Sequence, residues 1–354
     1  MPSFRTGRVA EILSEREGLQ RVSVELEADA DGEVPECGAP DGDAPARAYV
    51  LTGLIGDVAV GDEVVCNTTA VEWGLGTGGW HVVHWNLSRR SWRRKGAGHI
   101  MKLRYTSLQA DTGAAEEHLD HLPSGLDAMP VVACSVHSQV PCVAVALKDV
   151  DPSLRLVYIM TDGASLPLVF SDLVAAMTDK GLLDGTVTAG HAFGGQLEAV
   201  NVASALALAR HQLQADVAVV AMGPGVVGTD TTLGTTALEV AHVLDTTSAL
   251  GGRPVMALRV SEGDRRERHR GVSHHSRTVL DLVHSSVMVA AHPLLGERGA
   301  LEVVDVDEPD TPHLLADRGL RVTTMGRGPD EDRAFFQAAG AAGALAAQLA
   351  ADRE

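Results

Sequence analysis

The chain has 354 residues, 45% of them hydrophobic, which is enough for a folded core and fits two domains. Asp and Glu number 47 against 29 Lys and Arg, a formal net charge of −18. Phosphate backbones and anionic lipid surfaces repel such a chain, so no membrane partner is expected and nucleic acid is disfavoured.

Four cysteines (Cys37, Cys66, Cys134 and Cys142) are widely spaced, with no CxxC pair. They read as reduced, buried thiols in a cytoplasmic protein, not as disulfides or a cysteine zinc site. The opening run Met1 to Arg8 has no apolar core, so no secretory signal is expected. The Ala/Gly-rich run Ala338 to Ala351 reads as too short and too weakly hydrophobic to span a bilayer.

Residues 1–104 are β-rich. Short runs at Arg8–Leu13, Arg21–Leu26, Ala46–Leu51, Glu63–Asn67 and Trp80–Trp85 are separated by Gly and Asp, which predicts a small barrel or sandwich. Asp29 to Pro45 reads as a mobile hairpin tip, and Gly74 to Gly79 as a hairpin turn. All four tryptophans (Trp73, Trp80, Trp85 and Trp92) lie beside the basic segment Ser88 to Arg104. They read as an interface that docks the barrel on the second domain, with single-stranded nucleic acid as the alternative. Residues 105–128 read as a linker.

From 129 to 354 the pattern becomes alternately strand-like and helical. Strands are predicted at Val131–Ser135, Leu156–Met160, Thr186–Ala189, Asp216–Met222, Pro254–Val260, Val287–Ala291, Leu301–Val304 and Arg321–Thr323. Amphipathic stretches lie at Leu168–Asp179, Glu198–Gln212, Thr236–Thr247, Arg277–His284, Pro312–Arg318 and Asp330–Ala351. This predicts an α/β fold, a mostly parallel sheet with helices on both faces. Thr236-Ala-Leu-Glu239 matches a capping box.

Small, polar and titratable residues collect after the strands, where open α/β sheets bind ligands. Asp162 follows the second strand, and His191 sits in a glycine-flanked turn after the third. Gly223, Gly225, Gly228 and Thr229 follow the fourth. The fifth is followed by Asp264, Arg265, Arg266, Arg268, Arg270, His274 and His275. The glycine turn matches G-x-G-x-x-G after a strand, which fits either a dinucleotide fingerprint or a general anion cradle. It is no Walker A loop, because Thr229 follows Gly228. The four arginines suit a phosphate or carboxylate. Asp162, His191, His274 and His275 are the candidate catalytic groups, and His191, Asp264 and His274 the candidate ligands of a divalent metal.

Thr161 to Pro167, Gly190 to Gly195, Met222 to Thr229 and Arg265 to His275 together resemble an uncharacterised bacterial family, catalogued as the domain of unknown function numbered 3866. The resemblance covers nearly the whole chain and implies no activity. The expectation from the residues is an enzyme, a hydrolase or transferase, acting on an anionic small molecule, phosphorylated or nucleotide-like, by acid–base or metal-assisted chemistry. The alternatives are a nucleotide-cofactor oxidoreductase and a non-catalytic protein that senses a metabolite or binds a partner. A homo-oligomer is compatible with the sequence.

Overall fold

A computed structural model of the chain describes residues 2–28, 45–75, 78–293, 295 and 301–353. Cys37, residues 29–44 of the expected hairpin tip, and 76–77 of the glycine run lie outside the described residues. Contacts divide the chain into two units, Met1–Gly96 with Tyr105–Ala110, and Ala97–Arg104 with Asp111–Glu354. The expected boundary at 104 and linker at 105–128 therefore overlap both units.

The first unit is a closed barrel of five strands: β1 (Phe4–Arg16), β2 (Leu19–Leu26), β3 (Ala46–Leu51), β4 (Glu63–Asn67) and β5 (Trp80–Asn86). They close in the order β1-β2-β3-β5-β4, so no edge is left open. Irregularities at Val9/Glu11 and Ile12/Ser14 bend the 13-residue β1, which pairs with both β2 and β4. Its core is aliphatic, with Val9, Val22, Val24, Val50, Val64 and Val83 buried. Two of the tryptophans are occupied within this unit. Trp80 stacks on Tyr49 at 4.8 Å with Arg47 over its ring, and Arg89 lies over Trp92.

The second unit holds β6 (Pro130–Cys134), β7 (Leu156–Thr161), β8 (Gly185–Ala189), β9 (Leu197–Ala199), β10 (Val217–Met222), β11 (Arg253–Ala257), β12 (Val287–Ala290) and β13 (Leu301–Val304). They form one eight-stranded sheet in the order β9-β8-β7-β10-β6-β11-β12-β13. Every pairing is parallel. Among the described residues seven α-helices belong to this unit: α1 (Val140–Val150), α2 (Asp172–Asp179), α3 (Val202–His211), α4 (Glu239–Ala249), α5 (His274–Leu282), α6 (Thr311–Asp317) and α7 (Arg333–Ala351).

Alternate strand residues feed two cores. Val132 and Cys134 pack with α1, α6 and α7, while Val131 and Ala133 pack with α3, α4 and α5. Helices therefore cover both faces, as expected for a parallel sheet. Arg321–Thr323, expected as a strand, is not one.

The last helix corrects the expectation for the Ala/Gly-rich run. By length and composition α7 could cross a bilayer, but 78% of its apolar window is buried within the fold. It is a core helix. Its glycines allow close approach to its neighbours: a Cβ at Gly343 would lie 2.3 Å from the carbonyl oxygen of Val143 on α1.

Because all strands run the same way, their carboxyl ends share one edge of the sheet. The connection leaving β7 runs outward to β8, while that leaving β10 crosses β6 to reach β11. This reversal opens a crevice between the ends of β7 and β10, where doubly wound sheets place their ligands.

Candidate functional site

Two polar clusters occupy the carboxyl edge. The first lies at the ends of β7 and β8. Thr161 Oγ1 donates to Glu239 Oε1 at 2.6 Å, and Asp162 Oδ2 accepts the backbone N–H of His191 at 2.9 Å. Gly190 is required here: its φ is +66° and a Cβ would lie 2.3 Å from the Asp162 carboxylate. His191 Nδ1 accepts from the Leu103 N–H, and Arg104 Nη2 lies 3.2 Å from Nε2. Buried Lys102 reaches Glu198 at 2.6 Å and the carbonyls of Thr188 and Ala192.

Burial, and then the charge of Asp162, pushes the Glu239 carboxyl up to about 7 against the pull of the Thr161 hydrogen bond. The expected capping box is therefore not made: Thr235 caps the turn by accepting from the Ala237 N–H, and Glu239 turns to Thr161.

The second cluster lies beyond β10 and β11. Residues 226–229 approach Arg259, Arg266, Arg268, His269, His275 and Met325 around a cavity of about 120 Å³. Its frame is a carboxylate network. Asp264, 2% exposed, accepts two hydrogen bonds from the Arg266 side chain and one from Arg327. Burial alone would raise its pKa, but the hydrogen bonds and charge of Arg266, with Arg327, hold it far below the usual carboxylate range. Asp332, also buried, accepts from Ser261 Oγ, from the N–H groups of Glu262 and Gly263, and from Arg327.

Arg259 is 3% exposed. Its Nη2 is 3.9 Å from Asp264 and its Nη1 is 3.4 Å from His275 Nδ1. Burial, and then the charge of Arg266, lowers its pKa to about 10. Arg268 pairs with Asp230 at 2.8 Å through Nη1, while its Nε is buried without a partner among the described residues. Arg270 donates to the Asp264 carbonyl, bracing the loop, and Arg265 points to solvent as an exposed residue.

Three imidazoles meet beside this cavity. The rings of His269, His274 and His275 have centroids 4.3 to 4.9 Å apart. Their ligand-capable atoms all lie within 4.8 Å of one another, and among the described residues they are the one such group. Ser273 organises them. It caps α5 by accepting from the His275 N–H, and its Oγ is 2.8 Å from His269 Nδ1. Burial, and then the charge of Arg259, pushes His269 down to about 3 and His275 down to about 4. His274 is lowered too, first by burial and then by Arg268, and its Nε2 is buried with no hydrogen-bond partner among the described residues.

The expected site residues thus fall into both places. Gly228, Thr229, Arg266, Arg268, His274 and His275 come together, while Asp162 and His191 belong to the first cluster. The expected metal trio does not assemble. His191 sits with Leu103 and Arg104, and Asp264 is occupied by arginines. The glycine turn also differs from a strand–turn–helix corner, because α4 begins only at Glu239. Gly223 is a packing glycine whose Cβ would lie 2.4 Å from the Ser165 carbonyl oxygen, and Gly225 has a φ of +108°.

Several residues of the two clusters escape sequence reasoning, among them Arg259, His269, Arg327 and Asp332 in the second and Glu239, read only as a cap, in the first. Arg259 stands within the apolar run Pro254–Val260, where one charge among hydrophobes was the available signal. His269 sits inside a charged run that reads as surface. A larger cavity of about 340 Å³ lies in the barrel unit, but its walls are mostly aliphatic, from Leu54, Val82 and Leu108, with His84.

A family model described as "Protein of unknown function (DUF3866)" matches residues 47–343. No curated protein and no solved structure matches.

Proposed function

The chain belongs to the DUF3866 family, whose description names no activity, and from its own residues we propose an enzyme, a hydrolase or transferase, that acts on an anionic small molecule. The phosphate-type group of that molecule seats between Gly228–Thr229 and Arg259, Arg266 and Arg268.

One observation carries this reading. Arg259 is buried, lines a cavity and stands 3.9 Å from its carboxylate partner. A guanidinium taken out of water needs close, well-aligned acceptors. An oxyanion in the cavity supplies them in the bidentate geometry that arginine favours. The size supports a group rather than a whole ligand: about 120 Å³ is far below the roughly 300–1,000 Å³ of pockets that enclose drug-sized molecules. The remainder of the substrate then lies outside the cavity. Gly228 supports the seat as well, since a Cβ there would touch the His275 ring at 3.5 Å and crowd Thr235.

Chemistry beyond binding is supported by the imidazoles of His269, His274 and His275 beside the arginines. A nucleotide-cofactor oxidoreductase is less well supported, because the glycine turn does not open a helix at Gly228. The free, buried Cys66, Cys134 and Cys142 fit a reducing compartment such as the cytoplasm.

The test is calorimetric titration of inorganic phosphate and pyrophosphate, followed by an assay of phosphate esters for product release. Saturable binding that Arg259→Met weakens at least about tenfold is the expected result. A folded protein that takes up neither anion refutes the proposal. Binding without turnover of any ester would leave a sensor in place of an enzyme.

A further inference from the structure

We propose that His269, His274 and His275 hold one divalent transition-metal ion of the zinc class, with its open coordination position facing the arginine-lined cavity. Three imidazoles plus one exchangeable ligand is a common donor set for catalytic zinc. The ligand-capable atoms here lie within 4.8 Å of one another. Tetrahedral zinc at about 2.0–2.1 Å from each nitrogen needs them roughly 3.3 Å apart, a closure that side-chain rotation supplies.

The unpartnered His274 Nε2 points independently to a ligand. It is buried, has no hydrogen-bond partner among the described residues, and sits between two other imidazoles. A buried polar nitrogen left alone costs free energy that a metal bond would remove. His269 is already braced as metal-bound histidines are, with Ser273 Oγ 2.8 Å from Nδ1, which leaves Nε2 for the ion. Sequence reasoning placed the metal at His191, Asp264 and His274, of which this proposal keeps His274.

The surrounding charge makes a prediction that a structural metal would not. Arg259, Arg266, Arg268 and Arg327 face Asp264, Asp332 and Asp230, so the pocket starts one positive charge in excess. A dication alone adds to that excess, whereas an anion bridging metal and guanidiniums removes it. Metal and anion must therefore strengthen each other reciprocally. This coupling rests on the function proposed above, but the histidine site does not.

Zinc affinity is measured on the purified full chain by competition with a chromophoric chelator, with and without inorganic phosphate, and phosphate binding is measured separately on the zinc-free protein. The expected result is one zinc per chain, bound about 5- to 150-fold more tightly with phosphate present. His274→Ala and His269→Gln should each lose that zinc, and His191→Ala should keep it. Thermal melting of the three variants reports whether each is folded. A wild-type protein that binds phosphate but no zinc overturns the metal proposal and spares the anion reading. Zinc binding that phosphate leaves unchanged, with no phosphate uptake, overturns the anion reading and spares the metal site. Zinc lost in His191→Ala but kept in folded His274→Ala places the ion elsewhere and overturns the proposal.

Discussion

The guanidinium of Arg259 and the carboxylate of Asp264 are both buried, at 3% and 2% exposure, yet stand 3.9 Å apart. Asp264 is drawn instead into close contact with Arg266 and Arg327. The carboxylate is saturated and the guanidinium is not. Removing either partner should therefore have unequal effects. Asp264→Asn leaves Arg259, Arg266 and Arg327 short of countercharge and should cost about 3–5 kcal/mol of stability. Arg259→Met replaces a poorly paired buried charge with an apolar side chain and should be neutral or stabilising. Urea unfolding of both variants decides this, and a larger loss in Arg259→Met than in Asp264→Asn would contradict it.

Glu239 makes a pH prediction. Its folded pKa of about 7 exceeds the ordinary 4.5, so the folded state holds the proton more tightly than the unfolded chain. That contribution is fully present below pH 4.5 and is lost as the pH rises through about 7. It should amount to about 1–3 kcal/mol. Wild type and Glu239→Gln, melted at intervals from pH 4.5 to 8, should diverge as the pH rises, with the variant relatively more stable at the upper end. Parallel curves would show that Glu239 titrates normally.

Gly343 and Gly228 should respond differently to alanine. At Gly343 the added Cβ meets the Val143 backbone oxygen at 2.3 Å, and two packed helices must separate. The expected cost is about 1–3 kcal/mol with no specific effect on anion binding. At Gly228 the nearest atom is Thr235 Oγ1 at 3.3 Å, and the His275 ring lies at 3.5 Å. Gly228→Ala should melt near wild type while phosphate affinity falls. Calorimetry with thermal melting separates the two outcomes, and reversed effects would contradict these packing roles.

Seven of the eight sheet strands were legible because fully buried parallel strands such as Leu156–Thr161 and Val217–Met222 are continuous apolar runs bounded by polar turns, whereas the three-residue β9 merges with the stretch Glu198–Gln212 that reads as helical, and the short run Arg321–Thr323 reads as a strand that does not form. Helix α1 was not. Val140 to Lys148 is buried on every side, between the sheet and α7, so it carries no polar stripe to betray its period. Gly228, Thr229, Arg266, Arg268, His274 and His275 could be picked out as site candidates because loops at strand ends announce themselves by composition. Their separation from Asp162 and His191 was not legible, since strand order decides it and periodicity carries no strand order. Asp264 looked like a free metal ligand because sequence shows a carboxylate but not the three guanidiniums around it.

Tungstate, a heavy analogue of phosphate, soaked into crystals of the wild-type protein places the anion directly. Anomalous density should lie in the 120 Å³ cavity beside Gly228, with the tungsten about 4 Å from the Arg259 guanidinium nitrogens and its oxygens at hydrogen-bond distance, about 2.7–2.9 Å, from them. Density at the Thr161–Asp162–Glu239 crevice instead, or none in the cavity at saturating tungstate, would contradict the seat proposed for the substrate's anionic group.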